Sequence, residues 1–141
     1  MTMNRKAFAA LALAPATLAA CVVVPDAPIV QGTPWHEGTP VPLGQPVKVA
    51  DIVVTPMRVV EDSRCPINAR CVWAGRLIVE TRIDGAGWRD TANITLGEDF
   101  GTHDRVVRLI AGEPNKTTQE EIEPDEYCFT YEDGTWYVEK E

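Results

Sequence analysis

From Val72 to Ile83 the chain alternates with a period of two: Leu77, Val79, Thr81 and Ile83 fall on one side, Arg76, Ile78, Glu80 and Arg82 on the other. That is the pattern of a strand with one face on a core and the other toward water. The neighbouring runs read the same way. Val47 to Val60 is rich in valine and isoleucine, Trp88, Asp90, Ala92, Ile94 and Leu96 share a face, and Val106 to Ala111, Glu126 to Glu132 and Thr135 to Glu139 complete the set. Asp84-Gly85 lies between two of these runs, and Asp133-Gly134 separates the last two by the two-residue loop of a tight hairpin. No window of about ten residues in this part holds a helical period. The pattern predicts an all-β fold of about seven short antiparallel strands. A small, immunoglobulin-like β-sandwich is preferred over a barrel.

The β pattern occupies residues 47–141, a length sufficient for one core with little margin. Residues 22–46 differ sharply, because Pro25, Pro28, Pro34, Pro40, Pro42 and Pro46 leave no room for a periodic apolar pattern. This stretch reads as a tether, with Val41 and Leu43 as candidates for a first edge strand. Trp35 and His36 stand out within it, and Trp35 is expected to pack back on the domain.

Before the tether come a basic start, Arg5-Lys6, an apolar run from Ala7 to Ala16, and Leu18-Ala19-Ala20-Cys21. The run is shorter than the about 20 residues a spanning helix needs, so residues 1–20 read as a cleaved export signal. Leu18-Ala19-Ala20-Cys21 resembles the lipobox of bacterial lipoproteins. The resemblance implies that Cys21 becomes the mature N-terminus, carries acyl chains such as palmitate, and attaches the domain to the membrane. Val22 stands where inner-membrane lipoproteins often carry aspartate, which points to the outer membrane, facing the periplasm.

The whole chain carries a net charge of −8. Cleavage before Cys21 lowers the basic count from 13 to 11 against 21 acidic residues, a net −10. Such a surface disfavours nucleic acid and anionic surfaces and keeps a small domain soluble.

At the centre stand Glu61-Asp62-Ser63-Arg64-Cys65-Pro66 and Cys71-Val72-Trp73-Ala74-Gly75. In an oxidising compartment, cysteines six positions apart across a Pro-containing loop are expected to be bonded. Cys128 is then left over. Its place between Tyr127 and Phe129 reads as a buried, inert thiol, with pairing to Cys65, Cys71 or another chain as the alternative. The Asp-Ser-Arg-Cys-Pro, Cys-x-Trp-Ala-Gly pattern resembles that of a set of small bacterial envelope proteins of uncharacterised activity, and the resemblance runs from about Val47 to the end through Ile122, Pro124 and Tyr127. It implies no activity.

Two readings of the motif stand side by side. In the first, Asp62 caps the turn, Arg64 or Arg70 pairs with a carboxylate, Trp73 covers the disulfide and Gly75 admits a close backbone approach. In the second, the loop is a recognition edge built from Asp62, Arg64, Asn68, Arg70 and Trp73, with Arg64, Asn68 and Arg70 outward.

Catalytic patterns are sparse. Ser63 is the single serine, His36 and His103 are the two histidines, and Ser63 lacks a glycine-flanked nucleophile turn. A hydrolase through Ser63 and His103, or a thiol-dependent stress role for Cys128, is the alternative to a non-catalytic module. No cofactor is expected. No zinc spacing occurs, and the acidic loops at Glu98–Asp104 and Glu120–Glu126 lack the ordered ligand spacing of a calcium site. The expectation is a lipid-anchored envelope module whose partners are the membrane, through Cys21, and an envelope protein or glycan.

Overall fold

The computed structural model describes residues 32–134. Cys21, the leader, the first part of the expected tether and the expected strand Thr135–Glu139 lie outside them.

Eight strands occur among the described residues: β1 (Val41–Pro42), β2 (Val47–Val49), β3 (Ile52–Asp62), β4 (Leu77–Gly85), β5 (Trp88–Thr95), β6 (Asp99–Thr102), β7 (Arg105–Glu113) and β8 (Cys128–Asp133). They form two antiparallel sheets, one in the order β2-β3-β4-β5 and the other β1-β8-β7-β6. The fold is the expected small β-sandwich. The immunoglobulin likeness holds for two packed antiparallel sheets, but the strand order differs from that fold: β2-β3-β4-β5 is sequential, and the second sheet is a sequential β8-β7-β6 with β1 added beside β8.

The core follows from the alternation. Leu77, Val79, Thr81 and Ile83 are buried from β4, and Val107, Leu109, Phe129 and Tyr131 face them from the second sheet. The sheets are also joined by a polar contact in this core. The hydroxyls of Thr81 and Tyr131, both fully buried, lie 2.9 Å apart and share a hydrogen bond. Burial holds the Tyr131 phenol neutral and raises its pKa, while the smaller influence of its bond with Thr81 acts in the opposite direction.

The folded unit takes in chain ahead of residue 47. Val41 is fully buried and pairs with Phe129, so β1 lies beside β8 as the edge strand the sequence allowed. Trp35 forms a parallel bridge with Val47, donating its amide to the Pro46 carbonyl at 2.9 Å and accepting from Lys48 at 2.8 Å. Its side chain is partly exposed, so it packs back mainly through the backbone. Glu37 accepts from the amides of Ala50 and Asp133, tying the β2–β3 turn to the end of β8. Prolines thus shape the entry to the fold rather than keeping all of this segment outside it.

Two expected boundaries move. β4 begins at Leu77, not Val72, and the β4–β5 hairpin turns at Ala86-Gly87 because Gly85 is still paired with Trp88. Cys128 is half-buried rather than buried, on the opposite side of β8 from Phe129.

Candidate functional site

The long strand β3 delivers Asp62 to one end of the sandwich, where the chain leaves the sheet for the segment 63–76. Asp62 Oδ1 accepts from the Arg64 amide at 3.3 Å, the cap expected of an aspartate at a turn. The Arg64 guanidinium grips the same carboxylate with two bonds, Nε to Oδ1 at 2.8 Å and Nη2 to Oδ2 at 2.7 Å. This is the planar fork-to-carboxylate geometry that arginine is suited to. Its remaining donors reach the carbonyls of Gly112 at 2.6 Å and Pro114 at 3.2 Å.

Asp62 has further partners. The Tyr127 hydroxyl donates to Oδ2 at 2.9 Å, and Lys116 Nζ donates to the Asp62 carbonyl at 2.7 Å. The Arg64 and Asp62 side chains are only 13% and 9% exposed, so this is a largely desolvated, fully hydrogen-bonded pair. Burial pushes the Asp62 carboxyl up, but the bonds from Arg64 and Tyr127 outweigh it and hold it below the usual carboxylate range. Tyr127 is pushed up to about 12, first by burial and then by its bond to Asp62.

Beyond Arg64 the loop is stapled repeatedly. Cys65 and Cys71 are bonded, with Cα atoms 5.8 Å apart. Asn68 Nδ2 donates to the Thr118 hydroxyl at 2.9 Å and its Oδ1 accepts from the Thr118 amide at 3.0 Å. The Ile67 amide donates to the Lys116 carbonyl at 2.9 Å, and the Cys65 amide to the Ala74 carbonyl at 3.1 Å. Gly75, at φ +67, lies so close to Ser63 that a Cβ there would stand 1.7 Å from the Ser63 carbonyl oxygen. Only glycine fits this contact.

On this frame sit the exposed residues. Every residue from Ile67 to Arg76 is exposed. Ile67 is 70% exposed, Val72 92% and Trp73 83%. Such a cluster of large apolar side chains on one short loop differs from apolar residues scattered singly over a surface.

The structure therefore divides the expected recognition residues. Asp62 and Arg64 are internal anchors, so Arg64 does not point outward. Asn68, although exposed, is occupied by Thr118. Arg70 and Trp73 face water, and Trp73 does not lie packed over the disulfide. Ile67 and Val72 join them, although Val72 read from sequence as a strand residue. Lys116 and Thr118 went unread because nothing in local spacing links them to residues some fifty positions earlier. Tyr127 was carried in the same resemblance as the Asp-Ser-Arg-Cys motif, and the two meet here.

Ser63 and His103 lie at opposite ends of the sandwich. His103 stacks on Trp88 with ring centroids 4.0 Å apart, beside Asp51 and Ile52 at the start of β3. Ser63 follows the last residue of that strand, which at about 3.3 Å per residue places it about 30 Å away. The Ser63 hydroxyl donates to Glu61 Oε1 at 2.8 Å and accepts from the Arg76 amide at 3.1 Å. The geometry thus gives Ser63 a turn-stabilising role. Among the described residues, no three His, Cys, Asp or Glu side chains gather into a metal site.

Compared with known proteins, the chain matches no family model, no curated protein and no solved structure.

Proposed function

We propose that this protein is a non-catalytic, lipid-anchored module of the bacterial envelope that binds its partner through the disulfide loop. The observation that carries this reading is the contrast within one loop. Its backbone is fixed by the Cys65–Cys71 bond, the Asp62–Arg64 clamp and the Asn68–Thr118 pair, while Val72 and Trp73 are left almost wholly in water. Rigid presentation of an aromatic side chain lowers the entropy lost on binding. Tryptophan and arginine are also the residue types that most often dominate binding energy. The lipobox-like Leu18-Ala19-Ala20-Cys21 supports attachment through Cys21, with the outer membrane as the site.

Site-specific photocrosslinking in cells tests the reading. A photoreactive residue at position 73 is expected to give adducts with an envelope component, while one at Thr91, on the exposed face of β5, gives none. Equal labelling from both positions would overturn it. For the anchor, Cys21→Ser is expected to release the protein from the membrane fraction.

A further inference from the structure

We infer that the tip of the disulfide loop, formed by Ile67, Val72 and Trp73, docks into the headgroup region of the bilayer that carries the protein. This inference rests on the proposed reading of the loop as a binding element and of Cys21 as the anchor. Three observations favour a bilayer as the occupant.

The first is shape and chemistry. Every residue from Ile67 to Arg76 is exposed, and the loop offers two aliphatic side chains and a tryptophan to its surroundings. A soft interface accepts such side chains without a complementary pocket, and tryptophan favours the boundary between headgroups and acyl chains.

The second is charge. Residues 63–76 contain Arg64, Arg70 and Arg76 and no acidic residue, in a chain whose net charge is −8. Arg64 and Arg76 are held by Asp62 and Glu61, whereas Arg70 is exposed next to the tip. Anionic headgroups attract Arg70, and this attraction is local to the tip, because the acidic segment that carries Glu120, Glu121 and Glu123 returns to the same end of the sandwich beside Asp62 and Lys116.

The third is the tether. Eleven positions separate Cys21 from Gly32, a reach of about 34 Å in extended polyproline geometry. A domain held this close meets the bilayer at high effective concentration, so a few apolar side chains suffice as a second contact.

The test uses the mature lipidated protein in vesicles of phosphatidylethanolamine and phosphatidylglycerol containing a phosphatidylcholine brominated near the headgroup end of its chains. The signal of Trp73 is taken as the difference between the parent and Trp73→Phe. Quenching of that difference signal is expected. Val72→Asp should lower the docked fraction about tenfold, since it exchanges an apolar contact for a charge at the interface. Its melting temperature should not change, because that side chain is almost fully exposed in the fold.

Unquenched Trp73 in protein whose mass shows an acylated Cys21 would overturn the docking. If photocrosslinks from position 73 then lead to a protein, the loop still binds but its occupant is not the bilayer. If the mass shows no acylation, the anchor reading fails on its own. The same quenching measurement with saturating vesicles still decides the docking, whose loss there would overturn it and whose persistence would support it.

Discussion

At the scale of single residues, Arg64 carries the most structural consequence. Its guanidinium joins the end of β3 to Gly112 and Pro114 while neutralising a carboxylate that is almost out of water. Arg64→Ala leaves Asp62 buried beside lost partners, and a loss of about 3 kcal/mol is expected in the denaturant midpoint. The same group sets the acid limit. Because the folded Asp62 carboxyl titrates below its ordinary 3.8, the unfolded chain holds the proton more tightly. Its stabilisation is complete above about pH 4 and is lost as the pH falls through the folded value. Tyr127 behaves oppositely, its share complete below about pH 10 and lost as the pH rises toward about 12. Urea midpoints measured across pH should therefore show a flatter alkaline limb in Tyr127→Phe, which retains the ring that stacks on Phe129. The sequence showed that Asp62 and Arg64 were suited to a turn. It did not show that Lys116 and Tyr127 complete their partners, since that juxtaposition depends on how the 114–127 segment returns to the end of β3.

Among the elements, β4 was legible nearly residue by residue because it pairs on both sides and has one face in the core, so burial enforces the period of two. β3 was less so. Register shifts between Pro56 and Arg58 and between Val59 and Glu61 interrupt its alternation, and Val60 is left exposed. The alternation that continues through β4 was read as beginning at Val72, but the disulfide and the Gly75 turn hold Val72 in the loop until pairing starts at Leu77. The disulfide loop gives a prediction at this scale. The double variant Cys65→Ala, Cys71→Ala is expected to lose about 2 kcal/mol, the entropy of closing a short loop. The Arg64 and Asn68 contacts keep the domain folded, so a thermal melt should shift without losing cooperativity. The larger effect should fall on the tip, seen as faster amide exchange from Ile67 to Trp73.

For the molecule as a whole, the packed sheets form the scaffold and the Thr81–Tyr131 bond fixes one point of their facing surfaces. Thr81→Val keeps the shape of the side chain but strips the buried Tyr131 hydroxyl of its partner. A loss of about 2 kcal/mol is expected by chemical denaturation, against a smaller one for Tyr131→Phe, where the Thr81 hydroxyl keeps its bond to the Val79 carbonyl. By itself, the sequence determined the β class, the inward face of β4 and β5 and the Cys65–Cys71 bond, because these depend on local periodicity and short loop closure. Only the tertiary structure decided that Val41 enters the core beside β8, that Ser63 and His103 lie at opposite ends, that Arg64 turns inward and that Val72 and Trp73 turn out. Each of these depends on which distant segments share an end of the sandwich, and the path of the chain in three dimensions sets that where spacing along it does not.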